Sequence, residues 1–584
     1  MFSARRLLRH AKETFGLHPY WTWKGWALHG FVVVVLFVFL WGISAMGALR
    51  TFVPNTLQIT GWPGSDRTYL VLFQNNTELR ATGGFISAFA VVDFKNGFPS
   101  SIDFQDVYGE VDDHDYVSPP YPMDVLLEAN STTYAGHSFR DANYNPDFTE
   151  TVVEVLEFYN INNPEVDVDG VFAVNFSVLE DVVALYAPVT VDRLELTKDN
   201  LFETLETAVS DIDLHNLEAL DTRKDIIKDF AHVVIGDMLF TPWRWRSLSE
   251  VITQSLNEKS ILIYFENDRL GEKVKNLGWD GSFPDDSVNA DRLAVNVSNF
   301  GGMKSDRYIT REVHYTVDIT NEYDEFGERL IYGNLEITLR HYGDYNTPLS
   351  GGWKGYIRAF VPMGSELIES STGESTQEFI TNHVGWGDVG YLNPDETITY
   401  TYNFRLNPDY FQDDQYNLML IKQPGTYGDF YEVVVKAPQG QNIESDNMET
   451  RENVAYFQGN LLHDVDLSLT VLPDEAGPRI YYHEITDLNV IELSFSETLS
   501  PESVEDPLNY EITDLNVTDS TINDIITIDF ITIDGGTIRI YTKGMDYQYE
   551  EQFQIILKNI RDLSGNTITP NPRTITVVQR LEEE

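Results

Sequence analysis

The stretch whose reading decides the fold is TYLVLFQNNTELRATGGFISAFAVVD, residues 68–93. Thr68–Phe73 and Gly84–Asp93 are apolar runs bounded by polar and glycine residues, and they read as two buried strands. Between them lies Gln74–Phe85, the densest polar cluster of the chain. Its position places those side chains at a strand end, where α/β sheets hold ligands. Asn96-Gly97 then marks a tight turn, and Ser101–Asp106 reads as the return strand of a hairpin.

Downstream, Val152, Val155, Leu156 and Tyr159 recur at helical spacing, with Asp147 or Thr149 available as N-cap. A strand at Gly170–Asn175, a capped helix at Ser177–Leu185, a mainly helical stretch at 199–257 and strands at Ile261–Phe265 and Leu293–Val297 follow. This alternation predicts an α/β domain over 66–307, a mixed sheet with helices. From Tyr308 the period changes to in–out alternation broken by Gly, Asn, Asp and Pro, which predicts an antiparallel β module over 308–472. Residues 473–478 form a Pro-flanked linker, and 479–584 read as a β-sandwich of short strands.

Upstream, Ala27–Leu49 carries no charge and is long enough to cross a bilayer as one helix. Arg5, Arg6, Arg9, Lys12 and Lys24 precede it, and Tyr20, Trp21, Trp23 and Trp26 supply an interfacial belt. The expectation is a cytoplasmic basic tail (1–26), an uncleaved transmembrane helix (27–49), a tether (50–65) and an extracytoplasmic bulk. The apolar segment exceeds the length usual for a cleaved signal.

The 584-residue chain has a formal net charge of −52. Residues 1–50 are basic, so the acid excess lies in the bulk, which disfavours nucleic acid and anionic lipid as partners. The absence of Cys excludes disulfides, thiolate metal sites and Cys nucleophiles.

Two clusters carry the candidate chemistry. In the first, Gly83 and Gly84 allow close backbone approach, Arg80 can clamp a phosphate or carboxylate, and Asn75 and Glu78 can bind hydroxyls or a metal-bound water. In the second, FRDANYNPDF (139–148), Arg140, Asp141, Asn143 and Asp147 stand before a helix. Carboxylate and amide oxygens without His or Cys suit Mg²⁺ or Ca²⁺ rather than zinc, with Asp141 and Asp147 as ligands. A structural alternative stands beside this reading: the two arginines pair with Glu78, Asp141 or Asp147 to fix two loops, while Asp147 caps the helix. Asp112–Asp115 is an acidic loop that reads as solvated.

The segments LVLFQNNTELRATGGF (70–85), RDANYNPDF (140–148), VDGVFAVNFSVLEDVVALYAPVTV (168–191), SDRYITREVHYTV (305–317) and GYIRAFVPMGS (355–365) resemble a bacterial family. It is the one catalogued as domain of unknown function four thousand and twelve, and the resemblance spans about residues 66–365. Asn75, Glu78, Arg80, Gly83, Gly84, Phe85, Arg140, Asp141 and Asp147 fall on its motif positions. A more distant similarity links the α/β order to the LytR-CpsA-Psr phosphotransferases. It implies transfer of a glycopolymer from a lipid pyrophosphate carrier; on that hypothesis Arg80 and Arg140 bind pyrophosphate and Asp141 or Glu78 holds Mg²⁺, so Arg80, Arg140 and Asp141 are the catalytic candidates, although no role transfers position by position. Their Ser-Ile-Pro-Arg-Asp segment has no clean counterpart here. Residues 491–512 and 553–568 resemble SbsA-type immunoglobulin-like domains, which implies a spacer or adhesive Ig-like sandwich at the C-terminus.

Three functions follow as expectations: a membrane-anchored envelope protein that binds an envelope glycan or lipid-linked polymer, a Mg²⁺-dependent phosphotransferase, or a surface adhesin. The missing catalytic segment favours the first.

Overall fold

A computed structural model describes residues 47–107, 117–128, 136–191, 194–204, 233–234, 241–285, 290–345, 349–516, 525–545 and 551–580. The expected membrane helix lies outside these residues except for Gly47–Leu49, as do Asp112–Asp115 and most of the 199–257 stretch. Among the described residues no helix is long and apolar enough to cross a membrane. The segment expected as a tether is folded: Gly47–Asn55 is a 3₁₀ helix followed by a helical turn at Thr56–Ile59. It packs Leu49, Phe52 and Ile59 against the α/β core, with the Phe52 ring stacked on Trp279.

The first body is a five-stranded sheet of β1 (Asp66–Arg80), β2 (Gly83–Lys95), β3 (Phe98–Asp106), β4 (Gly170–Asn175) and Ile261–Phe265. The order is β3-β2-β1-β4, then Ile261–Phe265. The β1–β4 pair is parallel and the other pairs are antiparallel, so the sheet is mixed. Strand alternation sends Leu70, Leu72, Val171 and Ala173 to one face, against the helix Phe148–Asn162. That helix buries Phe148, Thr151, Val152, Val155, Phe158 and Tyr159, the three-and-four spacing that makes one apolar stripe. The opposite face offers Tyr69, Phe172 and Val174 to the helices Phe176–Tyr186, Trp245–Asn257 and Asp268–Lys275.

The second body consists of a seven-stranded and an eight-stranded sheet around one large core. In the strand Ile309–Tyr323, Ile309, Val313, Tyr315, Val317 and Ile319 point inward while Thr310, Glu312 and Asp318 face solvent. The pairing is predominantly antiparallel, as the alternation predicts. Two exceptions are parallel: Gln415–Ile421 beside Asp291–Asn299, and Asp429–Lys436 beside Ile309–Tyr323.

One strand moves across the expected boundary at residue 307. Asp291–Asn299 does not join the α/β sheet; it pairs with Trp353–Pro362 and Gln415–Ile421 in the eight-stranded sheet. All nine of its residues are buried. Leu293, Val295 and Val297 face the β core, and the other face meets the first body, so the continuous burial that resembled a parallel α/β strand has a different cause.

The C-terminal unit is a four-stranded and a three-stranded antiparallel sheet that share a separate apolar core including Ile491, Leu493, Phe495, Ile538, Ile540, Phe553 and Ile555.

Candidate functional site

The polar cluster 74–85 does not form an open loop. β1 runs on to Arg80, and its pairing with β2 jumps from Asn75–Phe85 to Leu79–Gly84, so Asn76, Thr77 and Glu78 bulge out of the ladder. The hairpin tip drives into the β module: Leu79 is a member of the β core, and its backbone N–H donates to Asp306 Oδ2 at 3.0 Å.

Gly83 and Gly84 do bring backbone close to another group, and that group is the chain itself. Gly83 has φ +138°, and a Cβ there would lie 2.2 Å from Gln74 Oε1. A Cβ on Gly425 would lie 2.7 Å from the Gly83 Cα, so two glycines permit this crossing.

Side-chain amides tie the hairpin tip to the β module. Asn76 Nδ2 donates to Gly425 O at 2.9 Å, and Asn296 Nδ2 to Ala81 O at 2.9 Å. Gln423 Nε2 donates to Arg80 O (3.0 Å) and Val297 O (2.7 Å), while its Oε1 accepts from Val297 N (2.8 Å). Asn75 Oδ1 accepts from Thr77 N and Oγ1, and Asn143 Nδ2 donates to Gly84 O at 2.8 Å. Both asparagines thus hold the hairpin.

Arg80 is 2% exposed. Its guanidinium lies between the Phe85 and Phe300 rings, 5.3 and 4.8 Å from their centroids. Nη1 donates to Asn299 O, and Nη2 reaches Glu78 Oε1 at 3.2 Å and Asp141 Oδ1 at 3.4 Å. Arg140 Nε approaches Asp141 Oδ2 at 3.4 Å from a less buried position. Burial raises the Glu78 carboxyl above its ordinary range, with Arg80 opposing the shift. Asp306 is raised for the same reason against Arg311 and the Leu79 N–H.

The structure therefore brings Arg80, Asp141, Arg140 and Glu78 into one network. Asp147 has separate duties: Oδ1 caps the helix by accepting from Thr149 N at 2.9 Å, and Oδ2 accepts from Phe283 N at 3.0 Å. The oxygens of Asp141 face two arginines and those of Asp147 accept backbone N–H groups, so both expected metal ligands already have structural partners. Among the described residues, the carboxylates grouped closely enough to hold a cation are Asp474, Glu497 and Asp562, far along the chain.

Residues outside the two predicted clusters complete the network: Asn296, Asn299, Phe300, Asp306 and Gln423. Asp306 lay in the stretch 305–317 and Asn296 in the expected strand Leu293–Val297, neither of them singled out for chemistry.

Residues 65–209 match the family model described as Protein of unknown function (DUF4012). The chain carries a DUF4012 region. The match covers β1–β4 and both polar clusters and ends short of the expected residue 365. No curated protein matches the chain. Among solved structures, the transcriptional regulator yvhJ from Bacillus subtilis is 16% identical over 38% of this chain and 79% of its own, with a TM-score of 0.19. Lin1025 from Listeria innocua is 12% identical over 46% and 90%, TM-score 0.20. The N-terminal part of the bacterial S-layer protein SbsC is 11% identical over 18% of this chain and 24% of its own, TM-score 0.16. At these scores none carries an argument about the DUF4012 region or the units that follow it.

Proposed function

We propose that this chain is a membrane-tethered envelope protein whose outer bodies hold an envelope glycan or lipid-linked polymer without turning it over. Residues 27 to about 46 are its anchor, since Gly47–Leu49 belong to the 3₁₀ helix packed on the outer body; residues 1–26 stay in the cytoplasm, and the acidic bulk lies outside. The C-terminal unit acts as an Ig-like spacer.

The observation that carries the non-catalytic reading is the closure of Arg80. A guanidinium that must clamp a pyrophosphate needs free donors and room beside it. Arg80 is 2% exposed, stacked between two rings, and directed at a backbone carbonyl and two carboxylates of its own chain. The contacts to Asn299 and Phe300 join the DUF4012 region to the β module, which is a mechanical task.

Two experiments test the proposal. Protease added to intact cells should remove everything beyond about residue 50 and spare the N-terminal stub; a bulk protected until lysis overturns the topology. Full-length protein incubated with labelled lipid-linked glycan and Mg²⁺ should bind it and transfer nothing. Transfer by the wild type that is lost in a folded Arg140→Ala variant overturns the non-catalytic reading.

A further inference from the structure

The β module ends at Pro473, and the next residue, Asp474, faces the C-terminal unit. Two turns of that unit meet it. One carries Glu497, just after the strand Val490–Phe495; the other is the tight loop Asp562–Asn566. One carboxylate oxygen each from Asp474, Glu497 and Asp562 lies within 4.8 Å of the other two. Ca²⁺ takes oxygen ligands at about 2.3–2.6 Å in irregular geometry, so oxygens gathered this closely can share one Ca²⁺ sphere.

Asp562 supplies a second, independent observation. It is 2% exposed, and its Oδ1 accepts from Asn566 N at 2.8 Å. Its Oδ2 is buried and accepts no hydrogen bond among the described residues. A buried, unsatisfied carboxylate oxygen is costly, and a cation removes that cost. We propose that Asp474, Glu497 and Asp562 form a Ca²⁺ site at the junction of the β module and the C-terminal unit, and that the ion locks the two together.

The surroundings hold the ligands in place. Ser564 Oγ donates to Asp474 Oδ2 at 2.8 Å, and Asn566 Nδ2 donates to Asp474 O at 2.8 Å, so the loop grips the linker from both sides. Asn442 Nδ2 and Ala476 N take Asp474 Oδ1, both at 3.1 Å. Hard oxygens without nitrogen or sulfur select an alkaline-earth ion over zinc.

The test uses the full chain, freed of metal with a chelator, and amide hydrogen exchange read on peptides spanning 473–478 and 561–567. Added Ca²⁺ should slow exchange there at least tenfold, with half-saturation at about 10⁻⁴–10⁻³ M, the range of extracellular Ca²⁺ modules. Asp562→Asn and Glu497→Gln should abolish that effect, and Asp534→Asn, an exposed acid in the same unit, should retain it. Glu497 is only half-buried, so its variant keeps the test decisive if Asp562→Asn disturbs the turn. No protection in the wild type at about 10 mM Ca²⁺, ten times the weakest expected Kd, overturns the site. So does equal protection in Glu497→Gln. Equal protection by Mg²⁺ at the same concentration overturns the choice of ion.

Discussion

Replacing Arg80 by Ala separates a mechanical role from a chemical one. The change removes a cation that is almost fully enclosed, and leaves Glu78 and Asp141, 6% and 2% exposed, without their shared partner. Breaking a buried pair from one side costs about 3–5 kcal/mol, because the stranded charge cannot return to water. The loss also leaves Asn299 O without its donor and opens a slot between Phe85 and Phe300. Unfolding entropy near 60 °C is about 2.1 cal/mol/K per residue, which over roughly 400 residues of the two joined bodies gives about 0.8 kcal/mol/K. The expected fall in Tm is therefore about 4–6 °C.

Calorimetry on full-length protein reads that shift directly, provided the C-terminal unit, which has its own core, is followed as a separate transition. Arg80→Lys keeps the charge but loses the planar fork, and should fall between wild type and Arg80→Ala. Arg80→Met combined with Glu78→Gln and Asp141→Asn removes all three charges and should recover most of the loss. A Tm within 1 °C of wild type for Arg80→Ala would refute the clamp, since an arginine waiting for a ligand can be removed at little cost to the fold.

Asp147→Ala removes a helix cap and the acceptor of Phe283 N, and should cost about 1–3 kcal/mol in urea denaturation. Gly83→Ala forces a Cβ into Gln74 and Asn175 at positive φ; it should destabilise by about 2 kcal/mol or more, whereas Gly278→Ala, with open space around it, should cost only its φ penalty, about 1 kcal/mol. Asp291 is fully buried and accepts from Tyr315 and Tyr416, yet burial pushes it up to about 6. A raised carboxyl holds its proton more tightly when folded, so its stabilising contribution is complete below about pH 4 and is lost as pH rises through 6, up to about 3 kcal/mol. The stability of Asp291→Asn relative to wild type should rise by up to that amount between pH 4 and pH 7; a difference that stays flat contradicts the assignment.

The elements were largely legible because their periodicity is local. The stripe Val152, Val155, Tyr159 and the alternation from Ile309 to Ile319 each follow from one surface facing one core. Asp291–Asn299 misled because burial on both faces looks the same whether helices or a second body supply the cover. Residues 50–65 read as a tether since Phe52 and Ile59 are too few to announce a helix, and the ring partner of Phe52, Trp279, lies far along the chain. The polar clusters were found, and pairing of the arginines with Glu78 or Asp141 was one of the two readings left open, but sequence holds no measure of exposure. Arg80 in a cleft and Arg80 between two rings are the same letter.

A joint between two sheets explains why this region looks like a ligand site. Where the buried hairpin tip meets the β module, backbone carbonyls such as Ala81 O and Gly425 O would lie in the interior unpaired, at about 1–3 kcal/mol each. Asn76, Asn296 and Gln423 present amide groups that copy the donor and acceptor of a peptide, and so continue the ladder sideways to Gly425, Ala81 and Val297. Amides, two adjacent glycines and an arginine held by carboxylates are also what a sugar-phosphate pocket uses. The difference lies in the partner: here every amide named finds a carbonyl of the same chain. Such a joint fixes register more than it adds stability, because a displaced hairpin strands several polar groups at once. The DUF4012 hairpin and the β module should therefore move as one body under load, and motion between outer parts should concentrate at the linker 473–478 when no Ca²⁺ is bound there.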